Sequence, residues 1–331
     1  MWLISVPVAT TLLGFSVTGA VIPRLRSASL LDAVNHRSSH TATTVRGGGV
    51  AVLLVFAVGT AVLFAFGPSA VRFGSALALA ACAVIAFGLL GWFEDVHGLS
   101  VRTRLLTQVA IASLAAISAV LLGAGTTLSI VGALIAVFYV NAANFVDGIN
   151  GISSLHAMTA GLYFFWVGQQ VGNEALSLVA LCGAGAFFGF LPWNFPVARI
   201  FLGDVGSYTL GAFVWALAFW TATETTPLVA AAPMVVYSAD VLFTLGRRVR
   251  RGESLGEAHR EHVYQRLQRA SGSHAAAALA VTAATIVCCS AAGLVLVGEI
   301  PHTAGVILCA AIAILFCAVP TAFWWSKGVT A

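Results

Sequence analysis

Apolar residues fall along this chain in long unbroken runs, with polar residues gathered in short clusters between them. A helix needs about 20 apolar residues to cross the hydrocarbon core of a bilayer. Eleven runs meet or approach that length: 2–22, 48–67, 71–93, 105–123, 127–143, 152–168, 175–193, 207–222, 226–245, 274–297 and 303–325. The fifth and sixth are short. The first, Trp2 to Ile22, has no basic leader and no clear small-residue cleavage site, so it reads as a retained span and not a signal peptide. The pattern predicts an all-α integral membrane protein of about 11 transmembrane helices, a single polytopic domain over 1–331 with no internal repeat.

Composition supports this reading. Hydrophobic residues make up 60% of the chain and charged residues only 8%, whereas soluble domains carry about a quarter charged residues. Cys82, Cys182, Cys288, Cys289, Cys309 and Cys317 all sit inside apolar runs without metal-ligand spacing, and read as small packing residues.

The placement of charge orients the chain. Alternate connections, over 23–47, 94–104, 144–151, 194–206 and 246–273, together with the C-terminal tail, hold 15 of the 16 Lys and Arg residues; only Arg72 falls on the other side. By the positive-inside rule these loops are cytoplasmic and the N-terminus is outside. The acids Glu94, Asp95, Asp147, Asp204 and Asp240 fall on the same side, as does the stretch His259 to Gln265. The pattern predicts one site assembled at the cytoplasmic ends of several helices.

Five polar clusters are its candidate parts. Asn141-Ala142-Ala143-Asn144-Phe145-Val146-Asp147-Gly148-Ile149-Asn150-Gly151 joins two apolar runs, and polar groups at membrane depth mark functional sites; an ordinary polar turn is the alternative. In Gly91-Trp92-Phe93-Glu94-Asp95-Val96-His97 two adjacent carboxylates could hold a divalent ion shared with substrate phosphates, or could simply end a helix in water. Phe201-Leu202-Gly203-Asp204-Val205-Gly206-Ser207 offers one acid for a metal and free N–H groups at a helix start for an anion; the alternative is that Asp204 or Ser207 caps the helix. In Asn35-His36-Arg37-Ser38-Ser39-His40 and Arg46-Gly47-Gly48-Gly49, arginines and glycine N–H groups could grip phosphate, or the segment is a basic flank with a loose hinge. His259-Arg260-Glu261-His262-Val263-Tyr264-Gln265-Arg266 reads as a short amphipathic helix, closing over an anionic nucleotide or lying on anionic lipid. Asp240 needs a partner if buried, and Arg247 or Arg248 could supply one. Phosphate loops of the Walker type, GxGxxG and a Ser-His-Asp order are absent, and nothing resembles a nucleic-acid module.

In this order and combination, with Trp193-Asn194-Phe195-Pro196 between them, these motifs resemble the polyprenyl-phosphate N-acetylhexosamine-1-phosphate transferases of glycosyltransferase family 4, over about residues 20–270. The resemblance implies a multi-pass enzyme of the bacterial inner membrane with its active site facing the cytoplasm. Such an enzyme moves a sugar-1-phosphate from a UDP-N-acetylhexosamine to undecaprenyl or another polyprenyl phosphate and releases UMP. It implies Mg²⁺ as cofactor, with Mn²⁺ as a substitute, and a homodimer. Asp204 and Asp147 would be the metal ligands; Asp95, Glu94, Asp147 and Asp204 the catalytic acids; Asn144, Asn141, Arg46, Arg37, His259, Arg260, His262 and Gln265 the substrate-binding residues. Asp95 would assist direct attack by the lipid phosphate on the β-phosphate, with a phospho-aspartate route as the alternative.

Three departures from the family pattern stand out. Glu94 replaces the first Asp of the usual pair, Thr43-Thr44-Val45 replaces Pro-Thr-Pro before the glycines, and Tyr264-Gln265 stand where the branch acting on the peptidoglycan pentapeptide precursor has successive histidines. The last points to branches priming O-antigen, capsule, teichoic acid or cell-wall linker glycans. Two rival classes fit many spans with buried acids: a secondary transporter and a non-catalytic lipid-phosphate-binding protein.

Overall fold

A computed structural model of the protein describes residues 1–28, 30–32, 44–68, 75–254 and 259–326. Arg37 and its neighbours, Arg72 and Lys327 lie outside them. Helices α1 (Trp2–Ser27), α2 (Gly49–Phe66), α3 (Ser75–His97), α4 (Val101–Leu121), α5 (Thr126–Val146), α6 (Ile152–Gln170), α7 (Glu174–Asn194) and α8 (Gly203–Glu224) follow one another. Next come a short α9 (Pro227–Ala231), a 3₁₀ turn at Ala232–Met234, α10 (Val235–Arg250), α11 (Val263–Ser271), α12 (His274–Leu296) and α13 (His302–Ser326). A two-residue antiparallel ladder pairs β1 (Leu31–Asp32) with β2 (Thr44–Val45).

Among the described residues, ten helical segments, with Pro227–Arg250 counted as one, are long and apolar enough to cross a membrane, so the chain is an all-α integral membrane protein. The expected eleventh, over 152–168, is helix α6. It has 19 residues, about 28 Å at 1.5 Å per residue, but is too polar to qualify on composition. The reason lies in its packing: Ser153, Ser154 and His156 face inward and are buried, where neighbouring helices and not lipid meet them.

Helices α7 and α8 form the centre, each largely enclosed by its neighbours. Helix α7 lies between α1 and α6, and α8 between α3 and α5. Small residues let the backbones approach, as is usual where lipid supplies no hydrophobic drive between helices. Gly91 matters most for the site, because a Cβ there would collide with the Asp204 carbonyl and the Val205 Cα. That contact lays the last turn of α3 against the first turn of α8.

Helices also run further than hydropathy suggests. Asp95 falls in the last turn of α3 and Asn144 in the last turn of α5, while Asp204 stands in the first turn of α8. Hydropathy marks where lipid ends, but helical hydrogen bonding continues until a cap stops it. Asp95 and Asp204 therefore project from helix ends and not from loops, and Asp147 follows directly as the C-cap of α5. All six cysteines are free.

Candidate functional site

Four helix termini converge on one ion-pair cluster. Arg46, just before α2, donates from Nε to Asp95 Oδ1 at 2.9 Å and from Nη2 to Asp204 Oδ1 at 3.1 Å. Asn144 of α5 donates from Nδ2 to the same Asp204 oxygen at 2.8 Å and to Ser207 Oγ at 3.0 Å. Asp147, the C-cap of α5, accepts from Ser153 Oγ at 2.6 Å. Burial pushes the Asp147 carboxyl up to about 7; the Ser153 hydroxyl pulls it back, Asp204 raises it and Arg46 lowers it. Two acids from separate helices thus share one arginine, and Asp147 lies close enough to feel its charge.

Asp95 does not face this cluster as a free acid. Its two oxygens accept from the Asp204 N–H at 3.0 Å and the Val205 N–H at 2.9 Å, and its side chain is 1% exposed. The carboxylate of α3 is thus the N-cap of α8, satisfying orphan donors and meeting the positive end of the helix dipole. The N–H groups expected to face an anion at this helix start already face one, supplied by the chain itself.

Glu94 points elsewhere. It pairs with Arg104 at 3.1 Å and accepts from the Leu99 N–H at 2.7 Å, pinning the turn between α3 and α4. Adjacent helical residues project about 100° apart, so the expected carboxylate pair is split between two tasks. Asn141 is likewise turned away: it exchanges hydrogen bonds with Gln108 of α4 and donates to the Val137 carbonyl at 2.7 Å.

The triple glycine also has a use other than the expected one. The N–H groups of Gly48 and Gly49 donate to the Phe201 and Leu202 carbonyls at 2.9 and 2.7 Å, and the Phe201 N–H donates to Val45 at 2.8 Å. A Cβ on Gly49 would strike the Gly206 backbone. These N–H groups stitch the start of α2 to the start of α8 and are not offered to phosphate.

A second wall comes from α10 and α11. Asp240 is 1% exposed, and the expected arginine partner is replaced by His262, whose Nδ1 lies 2.7 Å from Asp240 Oδ1. Arg248 turns instead to Glu253 at 3.3 Å, and Arg251 pairs with Glu253 and Glu261. Helix α11 begins only at Val263, with His262 as N-cap and Gln265 accepting from the His262 N–H at 3.3 Å. His259 and Arg260 precede it. The His259 ring stacks on His262, 5.0 Å between centroids. Burial pushes His259 down to about 4, followed by the nearby His262 and Arg248, so it is neutral at pH 7. Tyr264 ties α11 to the Asp147 turn through a hydrogen bond from its hydroxyl to the Phe145 carbonyl at 3.0 Å. A small cavity of about 40 Å³ between Ile149, Arg260, Gln265, Gln268 and Arg269 opens beside that turn.

The Asn194 motif braces the turn from behind. Asn194 Oδ1 accepts from the Gly151 N–H at 2.6 Å and its Nδ2 donates to Ile200. His274 Nδ1 accepts from the Asn150 N–H at 3.2 Å. Ser153, Gln108 and His274 escape a reading of the sequence because a lone polar residue in an apolar run carries no motif, and Arg104 counts there only as one basic residue of the 94–104 connection. Arg37 lies outside the described residues.

Among the described residues no three His, Cys, Asp or Glu side chains converge closely enough to hold an ion alone. Magnesium seldom asks for that: one or two carboxylates suffice, with water and substrate phosphates completing the shell. Asp204 and Asp147, flanked by an asparagine amide and by hydroxyls, fit that donor set.

The profile of glycosyl transferase family 4 matches residues 76–222. The decaprenyl-phosphate N-acetylglucosaminephosphotransferase of Mycolicibacterium smegmatis is 30% identical over 286 residues, 74% of this chain and 70% of that protein. The phospho-N-acetylmuramoyl-pentapeptide-transferases of Symbiobacterium thermophilum and Desulforudis audaxviator are 30% and 32% identical, covering 72% and 66% of this chain and 82% and 76% of their own.

Proposed function

This chain belongs to glycosyl transferase family 4, and from that premise we propose that it transfers an N-acetylhexosamine-1-phosphate from a UDP-sugar to a polyprenyl phosphate such as undecaprenyl phosphate, releasing UMP. The observation that carries this reading is the convergence of Arg46, Asn144, Asp147 and Asp204 in one polar cluster at a single end of the bundle. The lipid phosphate sits at headgroup level and the nucleotide arrives from water, so both reach a site at helix ends. Charge asymmetry of the connecting segments favours the cytoplasmic face of a bacterial inner membrane. A transporter would place its polar groups near the midplane; gathering acids at one end favours transfer.

Asp204 and Asp147 would hold Mg²⁺ or Mn²⁺. When bound, the ion shields the pyrophosphate and stabilises charge developing on the leaving UMP. Arg46, with its side chain 40% exposed, adds a fixed positive charge at the same place. Asn144 orients Asp204. A phosphate monoester is largely dianionic at neutral pH, its second pKa being about 6, so the lipid phosphate attacks the β-phosphate without help from a base. Asp95, buried and fully bonded, serves by fixing Asp204 and is badly placed to form a phospho-aspartate. Arg260 and His259 would meet the sugar nucleotide's phosphates.

Tyr264 and Gln265, which replace histidines of the pentapeptide branch, are engaged here in structural bonds. This favours a donor without a peptide, and a glycan other than peptidoglycan. The test is UMP release in detergent from a panel of UDP-sugars with undecaprenyl phosphate, with and without Mg²⁺. Metal-dependent release that disappears in Asp204→Asn supports the proposal; a folded protein that releases no UMP from any donor overturns it. Light scattering on the same sample tests for the homodimer.

A further inference from the structure

The carboxylate of Asp240 has two layers of partners. Oδ1 accepts from His262 Nδ1 at 2.7 Å and from the Val263 N–H at 3.1 Å, and Oδ2 accepts from the Tyr264 N–H at 2.9 Å. Thr244 Oγ1 adds a long bond at 3.4 Å. Backbone N–H groups can only donate, so the oxygens facing them must accept. An ionised carboxylate is an acceptor alone, which requires His262 Nδ1 to carry the proton. The other ring nitrogen, Nε2, then lies on the edge turned away from Asp240.

The ring is also held on its faces. It packs against His259 on α11's approach and, at 6.0 Å between centroids, against Phe145, which lies between Asn144 and Asp147. Tyr264, two residues on, bonds the Phe145 carbonyl. The imidazole of His262, a residue 4% exposed, is therefore locked in tautomer, tilt and position beside the turn that carries Asp147. A cap alone needs only a carboxylate or amide oxygen at the two N–H groups; it does not need a buried acid whose first oxygen is shared with an imidazole.

Resting on the transfer reading above, we propose that Asp240 is a positioning residue of the reaction: it acts through His262, fixing the Nδ1–H tautomer so that Nε2 is the atom presented to the phosphorylated substrates. The arrangement follows the general logic by which a buried carboxylate orients a working histidine. Its capping of α11 is a consequence of the same bonds and places the ring as well as the helix.

The test is a cycle of Asp240→Asn and His262→Gln, read as kcat and KM for UMP release in detergent. Asparagine still caps a helix but cannot accept on both sides. If Asp240 acts through His262, Asp240→Asn lowers kcat on the order of 10²-fold with KM for the UDP-sugar little changed. It then has no further effect in the His262→Gln background. Asp240→Glu, which keeps the charge, recovers part of the loss. A purely structural role lowers both backgrounds by the same factor, together with the melting temperature, and overturns the proposal. Ring ¹⁵N spectra, with His262→Gln to assign the signal, decide the pairing without turnover. Wild type shows the proton on Nδ1, and Asp240→Ala moves it to Nε2. An Nε2–H tautomer in wild type also overturns the proposal. If the tautomer is as expected but no UDP-sugar is consumed, the transfer reading has failed and the Asp240–His262 pairing stands.

Discussion

Asp95 in the last turn of one helix caps the helix that begins beside Asp204, through bonds of 3.0 and 2.9 Å to two successive backbone N–H groups. The two acids are 109 residues apart in sequence, yet the position of the second depends directly on the first. Arg46 sits between their carboxylates and offsets the repulsion.

Replacing Asp95 separates these roles. Asparagine is as good an N-cap as aspartate, while losing the cap altogether costs about 0.5–2 kcal/mol. Asp95→Asn keeps one of the two capping bonds and is expected to lower the melting temperature less than Asp95→Ala while losing transfer activity, because Arg46 then leans on Asp204 alone. Asp95→Ala is expected to lose both. Thermal unfolding in detergent, run beside UMP release, checks this; an Asp95→Ala protein as stable as wild type would show that the cap contributes nothing.

Much of this arrangement is legible in the sequence. The apolar runs place the helices, and the clustering of Asp95, Asp147 and Asp204 on one side of the charge pattern places the site. What the sequence does not carry is the direction of each side chain. Glu94 and Asp95 are neighbours in the chain but serve different helices, and Asn141 lies one turn from Asn144 yet bonds to α4. The three glycines read as a phosphate grip because glycine permits both backbone exposure and close packing; only the position of Gly206 opposite Gly49 decides between them. The partner of Asp240 was hidden because burial favours a short-range histidine over the nearby arginines, whose guanidinium groups bond elsewhere.

The glycine contact yields a distinct expectation. A methyl group on Gly49 meets backbone atoms of Gly206, which cannot rotate aside, whereas one on Gly48 meets the side chains of Phe190 and Ile200. Overpacking of this kind typically costs about 1–3 kcal/mol. Gly49→Ala should therefore lower the melting temperature more than Gly48→Ala, in ligand-free protein. If Gly49→Ala instead left stability intact and raised only KM for the UDP-sugar, these N–H groups would be binding phosphate after all.

Metal affinity should depend on pH through Asp147. Its carboxyl is pushed up to about 7, chiefly by burial, and a metal binds the deprotonated form. Below that value each binding event must displace a proton, so apparent Mg²⁺ affinity should fall as pH falls, approaching tenfold per unit, and level off above about 7. Ser153→Ala removes a hydrogen bond that favours the ionised form, and should move the bend to higher pH. Mg²⁺ titrations from pH 5.5 to 8.5 on both proteins give the answer; a flat profile in wild type would remove Asp147 from the ligand set.

The seam between the Asp147 turn and α11 rests on Gly148 and Tyr264. Gly148 is not in the left-handed region, so alanine is conformationally acceptable there, but its Cβ would collide with the Tyr264 hydroxyl. That hydroxyl is itself bonded to the Phe145 carbonyl at 3.0 Å. Gly148→Ala should push α11 away from the Asp147 turn and cost activity. Tyr264→Phe alone should cost about 1 kcal/mol of stability, the net value of one hydrogen bond. In the double variant the colliding oxygen is gone, and the next atom, Cζ, lies 3.1 Å from the added carbon, a gap that a small shift can open. Double-variant activity should therefore exceed that of Gly148→Ala, with a coupling of about 0.5–3 kcal/mol between the two sites. Strictly additive losses would mean that the two residues do not meet, and that α11 is held to the Asp147 turn by other contacts.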